Sequence, residues 1–224
     1  MDIEVTEIGH VAAPQRVGRR ALLGAGVGGA ALSLLPLMSG RASASTTTTP
    51  PGESTSTAAA AASTTAPPKR PTDADVALLD FAQQLELTAR ALYDKALAAK
   101  WPADQLVVVT TIREAHEAYA QSLSGLLGRK ASGTASEALL RQFSTAWAGT
   151  PDKLLAAAYD FESAAVATYA EILGKLQGTD AAQLIASIQI AEARHGTALA
   201  DLAGSSDVGE LLVDTEAASL LGKG

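Results

Sequence analysis

Between residues 73 and 202 the apolar side chains recur at alternating steps of three and four, the spacing of one helix face. Four such seams can be written out. The first joins Leu79, Ala82, Glu86, Ala89, Tyr93 and Ala96, and the second joins Val109, Ile112, His116, Tyr119, Leu123 and Leu126. The third is Leu155, Ala158, Glu162, Ala165, Tyr169, Ile172 and Leu176, and the fourth is Ile185, Ile188, Glu192, His195, Leu199 and Leu202. Only the first has a competitor: Leu78, Leu85 and Leu92 form a second stripe that would move Glu86 to the edge of its seam.

Local signals bound these helices. Thr72 or Asp73 can cap the first, with Asp75 in its first turn, and it runs to about Ala99, stopping near Trp101-Pro102. The second covers about residues 103–127 and ends at Gly128. Thr150 caps the third, with Pro151 at its first position, and the helix runs to about Gln177. Gly178-Thr179-Asp180 then turns into the fourth, which ends near Gly204. A short helix at about residues 135–147 lies in the second connection, and another, amphipathic, is expected around residues 207–221. Trp101 and Trp147 read as caps on helix ends. The expected fold is all-α: an antiparallel four-helix bundle with a long crossover containing a short helix, plus a short C-terminal helix.

The first 72 residues carry no such pattern. Residues 1–44 read as an export signal: a polar stretch ending in Arg16, Arg19 and Arg20, a glycine-rich apolar run, and Ala42-Ser43-Ala44 as a cleavage site. Arg19-Arg20 before Ala21-Leu22-Leu23 resembles a twin-arginine signal, with Gly18 where Ser or Thr is commoner. Cleavage is the favoured reading over an uncleaved anchor, because the run is glycine-rich and at the short limit for a span. Exported, periplasmic, cell-envelope or extracellular localisation follows, without membrane insertion once the signal is removed. Residues 45–72 are rich in Ser, Thr, Pro and Ala and read as a disordered linker.

A stripe meant for burial should be apolar, yet every seam carries polar groups at one level. A buried carboxylate is costly unless it is paired or coordinated. The two hairpins also repeat: Glu86 to His116 and Glu162 to Glu192 are both thirty residues, and Glu86 to Tyr119 and Glu162 to His195 are both thirty-three. A tyrosine follows each lone glutamate by seven, as Tyr93 and Tyr169. Periodicity and repeat are independent, and they select the same residues. One glutamate from each of two helices with a Glu-x-x-His from the others is the layout by which helix bundles hold two metal ions. Iron and manganese suit such carboxylate and imidazole ligands.

Asp80-Phe81-Ala82 to Leu85-Glu86, the helix at residues 113–128, Glu162 with Tyr169, and Glu192-Ala193-Arg194-His195 resemble the bacterial ferritin-like superfamily, and most closely its exported, desiccation-related branch. The resemblance covers about residues 73–202. It implies a ferritin-like bundle in which Glu86 and Glu162 are the lone carboxylate ligands and Glu192 with His195 the paired ones. The second helix departs: His116-Glu117-Ala118-Tyr119 stands where the family has Glu-x-x-His. His116 remains a candidate ligand, whereas Tyr93, Tyr119 and Tyr169 are expected to support the site or pack around it. A mononuclear site, an asymmetric dinuclear one, and a metal-free cluster held by hydrogen bonds all stay open. The functional expectation is an exported protein binding iron or manganese, with a redox or metal-handling role. The alternative is a metal-free structural or stress-related envelope protein. Ferritin-style storage would need a many-subunit shell, which nothing in the pattern specifies.

Composition narrows the rest. The 224 residues include no cysteine, which removes disulfides, zinc-thiolate sites and haem attachment. A net charge of −7 with no basic stripe argues against a nucleic-acid partner.

Overall fold

The computed structural model describes residues 66–209 and 211–223. The expected export signal and the first part of the linker lie outside these residues. Five α-helices form in order: α1 (Asp73–Ala96), α2 (Ala103–Leu127), α3 (Glu137–Phe143), α4 (Pro151–Leu173) and α5 (Thr179–Leu202). The described residues contain no strand and no helix long and apolar enough to cross a membrane.

Two hairpins make the bundle, α1 with α2 and α4 with α5. Their helices run antiparallel, as the order of contacts requires: Gln83 donates to Ser124 Oγ at 2.9 Å, while Arg113 further back on α2 meets Asp94 further on along α1 at 2.7 Å. On the other hairpin His195 faces Glu162 and Gln189 faces Val166, again in reverse order. The seams read from the sequence face inward, and Leu79, Ala82, Leu155, Tyr169, Ile185 and Leu199 are all buried. Burying such side chains is worth roughly 1.5–3 kcal/mol each for the larger ones. Charged residues off the seams pair on the surface, where Arg90, Asp94, Arg113 and Glu117 form an ion-pair network between α1 and α2.

Both stripes of α1 are covered, Leu85 and Leu92 as fully as Tyr93 and Leu78 in part, and Glu86 is not at an edge. The crossover explains this. It lies along α1: the backbone N–H groups of Ser132, Gly133 and Ser136 donate in turn to Asp80, Gln83 and Thr88 at 2.8–3.0 Å. Helix α1 is therefore covered on a second side. The crossover helix is shorter than expected: Ser136 caps its start, accepting from the Leu139 N–H at 3.3 Å, and residues 144–147 continue as turns.

Other helix ends are also set by named side chains. Trp101 donates its indole N–H to the Ala96 carbonyl at 2.8 Å, so α1 stops three residues before the expected Ala99. Helix α4 ends at Leu173, not near Gln177, because Asp75 captures the N–H groups of Gln177 and Gly178 at 2.8 and 3.0 Å. Thr150 stands at the N-cap of α4 without a side-chain cap bond, and Pro151 takes the first helical position, as its type favours.

Two expectations are corrected. Residues 207–221 form no helix among those described. Asp207, Asp214 and Ser219 each accept from the backbone N–H two residues on, at 2.7–3.1 Å, the local bonding by which Asp and Ser oppose helix. The segment lies along α4 instead: Tyr159 donates to the Leu212 carbonyl, Asp214 N–H to Ser163 Oγ at 3.1 Å, and Leu220 N–H to Thr168 Oγ1 at 2.9 Å. Residues 66–72, expected as the end of a disordered linker, are also tied down. The Pro68 and Lys69 carbonyls accept from the Thr179 and Asp180 N–H groups at 3.0 and 2.9 Å. Gly178 permits this close approach, since a Cβ there would fall 2.7 Å from the Arg70 carbonyl oxygen.

Candidate metal centre

The four seams converge on one buried cluster where the hairpins meet. Glu86, His116, Glu162 and Glu192 are each at most 2 % exposed. The His195 side chain is the more open one, at 15 %. His116, Glu162, Glu192 and His195 each offer a ligand atom such that all four lie within 4.8 Å of one another. Glu86 stands just outside this group and touches it through His116.

The supporting bonds cross between hairpins. Tyr93 on α1 donates its hydroxyl to Glu162 Oε1 on α4 at 2.6 Å, and Tyr169 on α4 donates to Glu86 Oε1 on α1. His116 bridges the same two glutamates, with Nδ1 at 2.8 Å from Glu86 Oε2 and Nε2 at 3.2 Å from Glu162 Oε1. Tyr119 is partly buried and stacks its ring on His195, with centroids 6.3 Å apart and planes 22° from parallel.

Four buried atoms in the cluster have no hydrogen-bond partner among the described residues: Glu162 Oε2, both Glu192 carboxylate oxygens, and His195 Nδ1. Their nearest polar neighbours are one another or His116. His195 Nδ1 lies 3.4 Å from Glu192 Oε2 and 3.6 Å from Glu162 Oε2, and Glu192 Oε1 lies 3.7 Å from His116 Nδ1. Orphaned buried carboxylate oxygens are costly. These atoms face one another across the cluster, and a cation fits the donor set they make. Oxygen and imidazole donors with no thiolate match iron or manganese chemistry.

The buried histidine and carboxylates of the cluster set one another's protonation. Burial opposes charge on His116, but Glu192 and Glu162 hold its pKa well above the ordinary histidine value. Burial pushes Glu162 upward, yet His116 and the hydrogen bonds around the carboxylate keep it well below the usual range. Glu192 goes the other way: burial and the adjacent Glu162 raise it well above a normal glutamic acid. Burial and Glu192 also push the Tyr119 phenol up to about 12.

All eight side chains singled out in the sequence thus lie at or beside one site. Trp147 was missed. It is fully buried and packs edge-on against Tyr93 at 4.9 Å and Phe161 at 6.0 Å, bracing the ring whose hydroxyl holds Glu162. It lies beyond α3, outside any periodic seam, so no spacing marked it.

A family model described as a ferritin-like domain matches residues 74–205, more than half of the chain. No curated protein and no solved structure matches the chain.

Proposed function

Because this chain belongs to the ferritin-like domain family, we propose that it binds iron or manganese in the buried cluster, with Glu162, Glu192, His195 and His116 as ligands. The observation that carries this reading is the set of four buried, unpartnered donor atoms on Glu162, Glu192 and His195. A bound iron or manganese ion would supply one-electron redox chemistry in a largely buried site. The chain's own residues prepare that site. Tyr93 and Tyr169 fix the carboxylates of Glu162 and Glu86 by their hydroxyls, and His116 links the two. His195, with Tyr119 stacked on it, forms the less buried side, through which an ion or small oxidant can approach.

Export is the second part of the proposal. Its support is the Arg19-Arg20 pair, the apolar run after it and Ala42-Ser43-Ala44. A twin-arginine route passes folded cargo, which suits a protein that acquires its metal before leaving the cell. A redox or metal-handling role in the envelope is the functional reading. The competing one is a metal-free structural core, in which the Tyr–Glu and His–Glu bonds only fix helix register. The orphaned donors weigh against it.

Elemental analysis of the purified full chain, produced with iron and manganese supplied, tests the reading against a Glu162→Ala/Glu192→Ala control. Metal in the wild type that is absent from a folded control supports it. A metal-free wild type with undiminished thermal stability after chelation would favour the structural reading.

A further inference from the structure

The internal repeat invites comparison of the two halves of the cluster. Glu86 corresponds to Glu162, Tyr93 to Tyr169, His116 to Glu192, and Tyr119 to His195. The first pairs behave alike, each tyrosine bonding the other hairpin's glutamate. The last two pairs do not. On α5, Glu192 and His195 leave three donor atoms unpartnered. On α2, His116 spends both ring nitrogens on Glu86 and Glu162, and Tyr119 lays its ring against His195.

Building on the metal-binding reading above, we infer that this cluster takes a single ion, and that Glu86 is a positioning residue for His116 and not a ligand. Two cations about 3.5–4 Å apart need carboxylates on both sides to offset their repulsion. The second ion would draw on Glu86 and on positions 116 and 119. Both Glu86 oxygens are already engaged, Oε1 accepting from Tyr169 and Oε2 binding His116 Nδ1 at 2.8 Å. The His116 ring bridges Glu86 and Glu162, the place that the repeat would give to a carboxylate. Glu86 is also outside the group of ligand atoms that lie within 4.8 Å of one another. A carboxylate holding one nitrogen of a histidine, so that the other faces the metal, is a common outer partner of metal sites. Glu86 holds Nδ1 in that way and Tyr169 holds Glu86 in turn, while Nε2 points to the ligand carboxylate of Glu162 at 3.2 Å.

The test is titration of metal-free full-length protein with Mn(II) and, without oxygen, Fe(II), reading stoichiometry and affinity, with the Mn(II) spin-resonance spectrum alongside. The wild type should bind one equivalent and show the signal of an isolated ion. His116→Glu/Tyr119→His copies the α5 pair onto α2 and should raise the capacity to two, with a coupled-pair spectrum. Should that variant fail to fold by circular dichroism, the Glu86 series decides. Glu86→Gln keeps an oxygen to accept from Nδ1 and should hold one equivalent at near wild-type affinity. Glu86→Ala frees the ring and should still bind one equivalent, weakened by about 10–100-fold. Two equivalents in the wild type, or Glu86→Gln losing an equivalent, overturns the inference while leaving metal binding intact. No metal in the wild type overturns both.

Discussion

Asp75 offers the sharpest test of how the bundle is held, because one buried carboxylate joins the start of α1 to the turn before α5. It accepts from the Thr72 N–H at 2.7 Å and hydroxyl at 3.0 Å, and from the Gln177 and Gly178 N–H groups at 2.8 and 3.0 Å. Hydrogen bonds to a charged group are worth about 1.5–3 kcal/mol net, and an orphaned buried donor costs about 1–3 kcal/mol. Gly178 is buried, whereas Gln177 is exposed and Thr72 partly so, and water can replace much of what those two lose. Asp75→Ala should therefore cost about 3 kcal/mol. For a domain of this size that lowers Tm by roughly 6–12 °C. Asp75→Asn, which keeps the shape but not the charge, should lose about half as much. Burial pushes the Asp75 carboxyl up, but its hydrogen bonds win and hold it below the ordinary 3.8. Its folded pKa is thus depressed, so its contribution is complete above the ordinary value and fades as pH falls through the folded one. The gap between wild type and Asp75→Asn should accordingly be widest near neutrality and close toward acid. Thermal and urea melts followed by circular dichroism measure both. A Tm drop below about 2 °C for Asp75→Ala, or a gap that ignores pH, refutes the reasoning.

Other perturbations reach the remaining parts of the structure. Tyr93→Phe leaves Glu162 Oε1 without its 2.6 Å donor and should destabilise the metal-free protein by about 1–2 kcal/mol in urea melts; an unchanged midpoint would show the bond to be idle. Gly178→Ala drives a Cβ onto the Arg70 and Pro71 backbone at 2.7 and 2.9 Å, so residues 66–72 must lift. Faster protease cleavage in that segment, with a stability loss of about 1–3 kcal/mol, is expected; wild-type cleavage kinetics would contradict it. His116 and Glu192 both have raised pKa values, so a metal ion must displace their protons. Affinity should therefore tighten from about pH 6 to about pH 8 with proton release in calorimetry, and a flat profile would count against these ligands.

Most of the bundle was legible from residue type and spacing. Helix α2 begins and ends where the sequence places it, because Pro102 and Gly128 are unambiguous punctuation. The seams found the site because each polar interruption recurs at one level of a repeat. What stayed hidden depends on contacts between distant segments. Neither the Trp101 bond to the Ala96 carbonyl nor the capture of residues 177–178 by Asp75 has a periodic signature, so α1 and α4 end earlier than the spacing suggests. The C-terminal segment has helical amphipathicity, but its Asp and Ser side chains bind their own backbone and Ser163 and Thr168 offer acceptors along α4. The spacing revealed that Tyr93 and Tyr169 belong to the site. It could not reveal that each serves the other hairpin's glutamate, since helix order around the bundle is not encoded in any one helix.

That exchange of hydroxyls bears on how the domain opens. If one hairpin peels away, Glu86 loses its donor on α4 and Glu162 loses its donor on α1 in the same event. Neither half can detach while keeping its own carboxylate satisfied. Amide protons deep in α1 and α4 should then exchange with solvent only through whole-domain opening, at one shared rate, and not hairpin by hairpin. The cluster is thereby a latch as well as a candidate metal site. Whatever strengthens it slows the opening of about 130 residues at once.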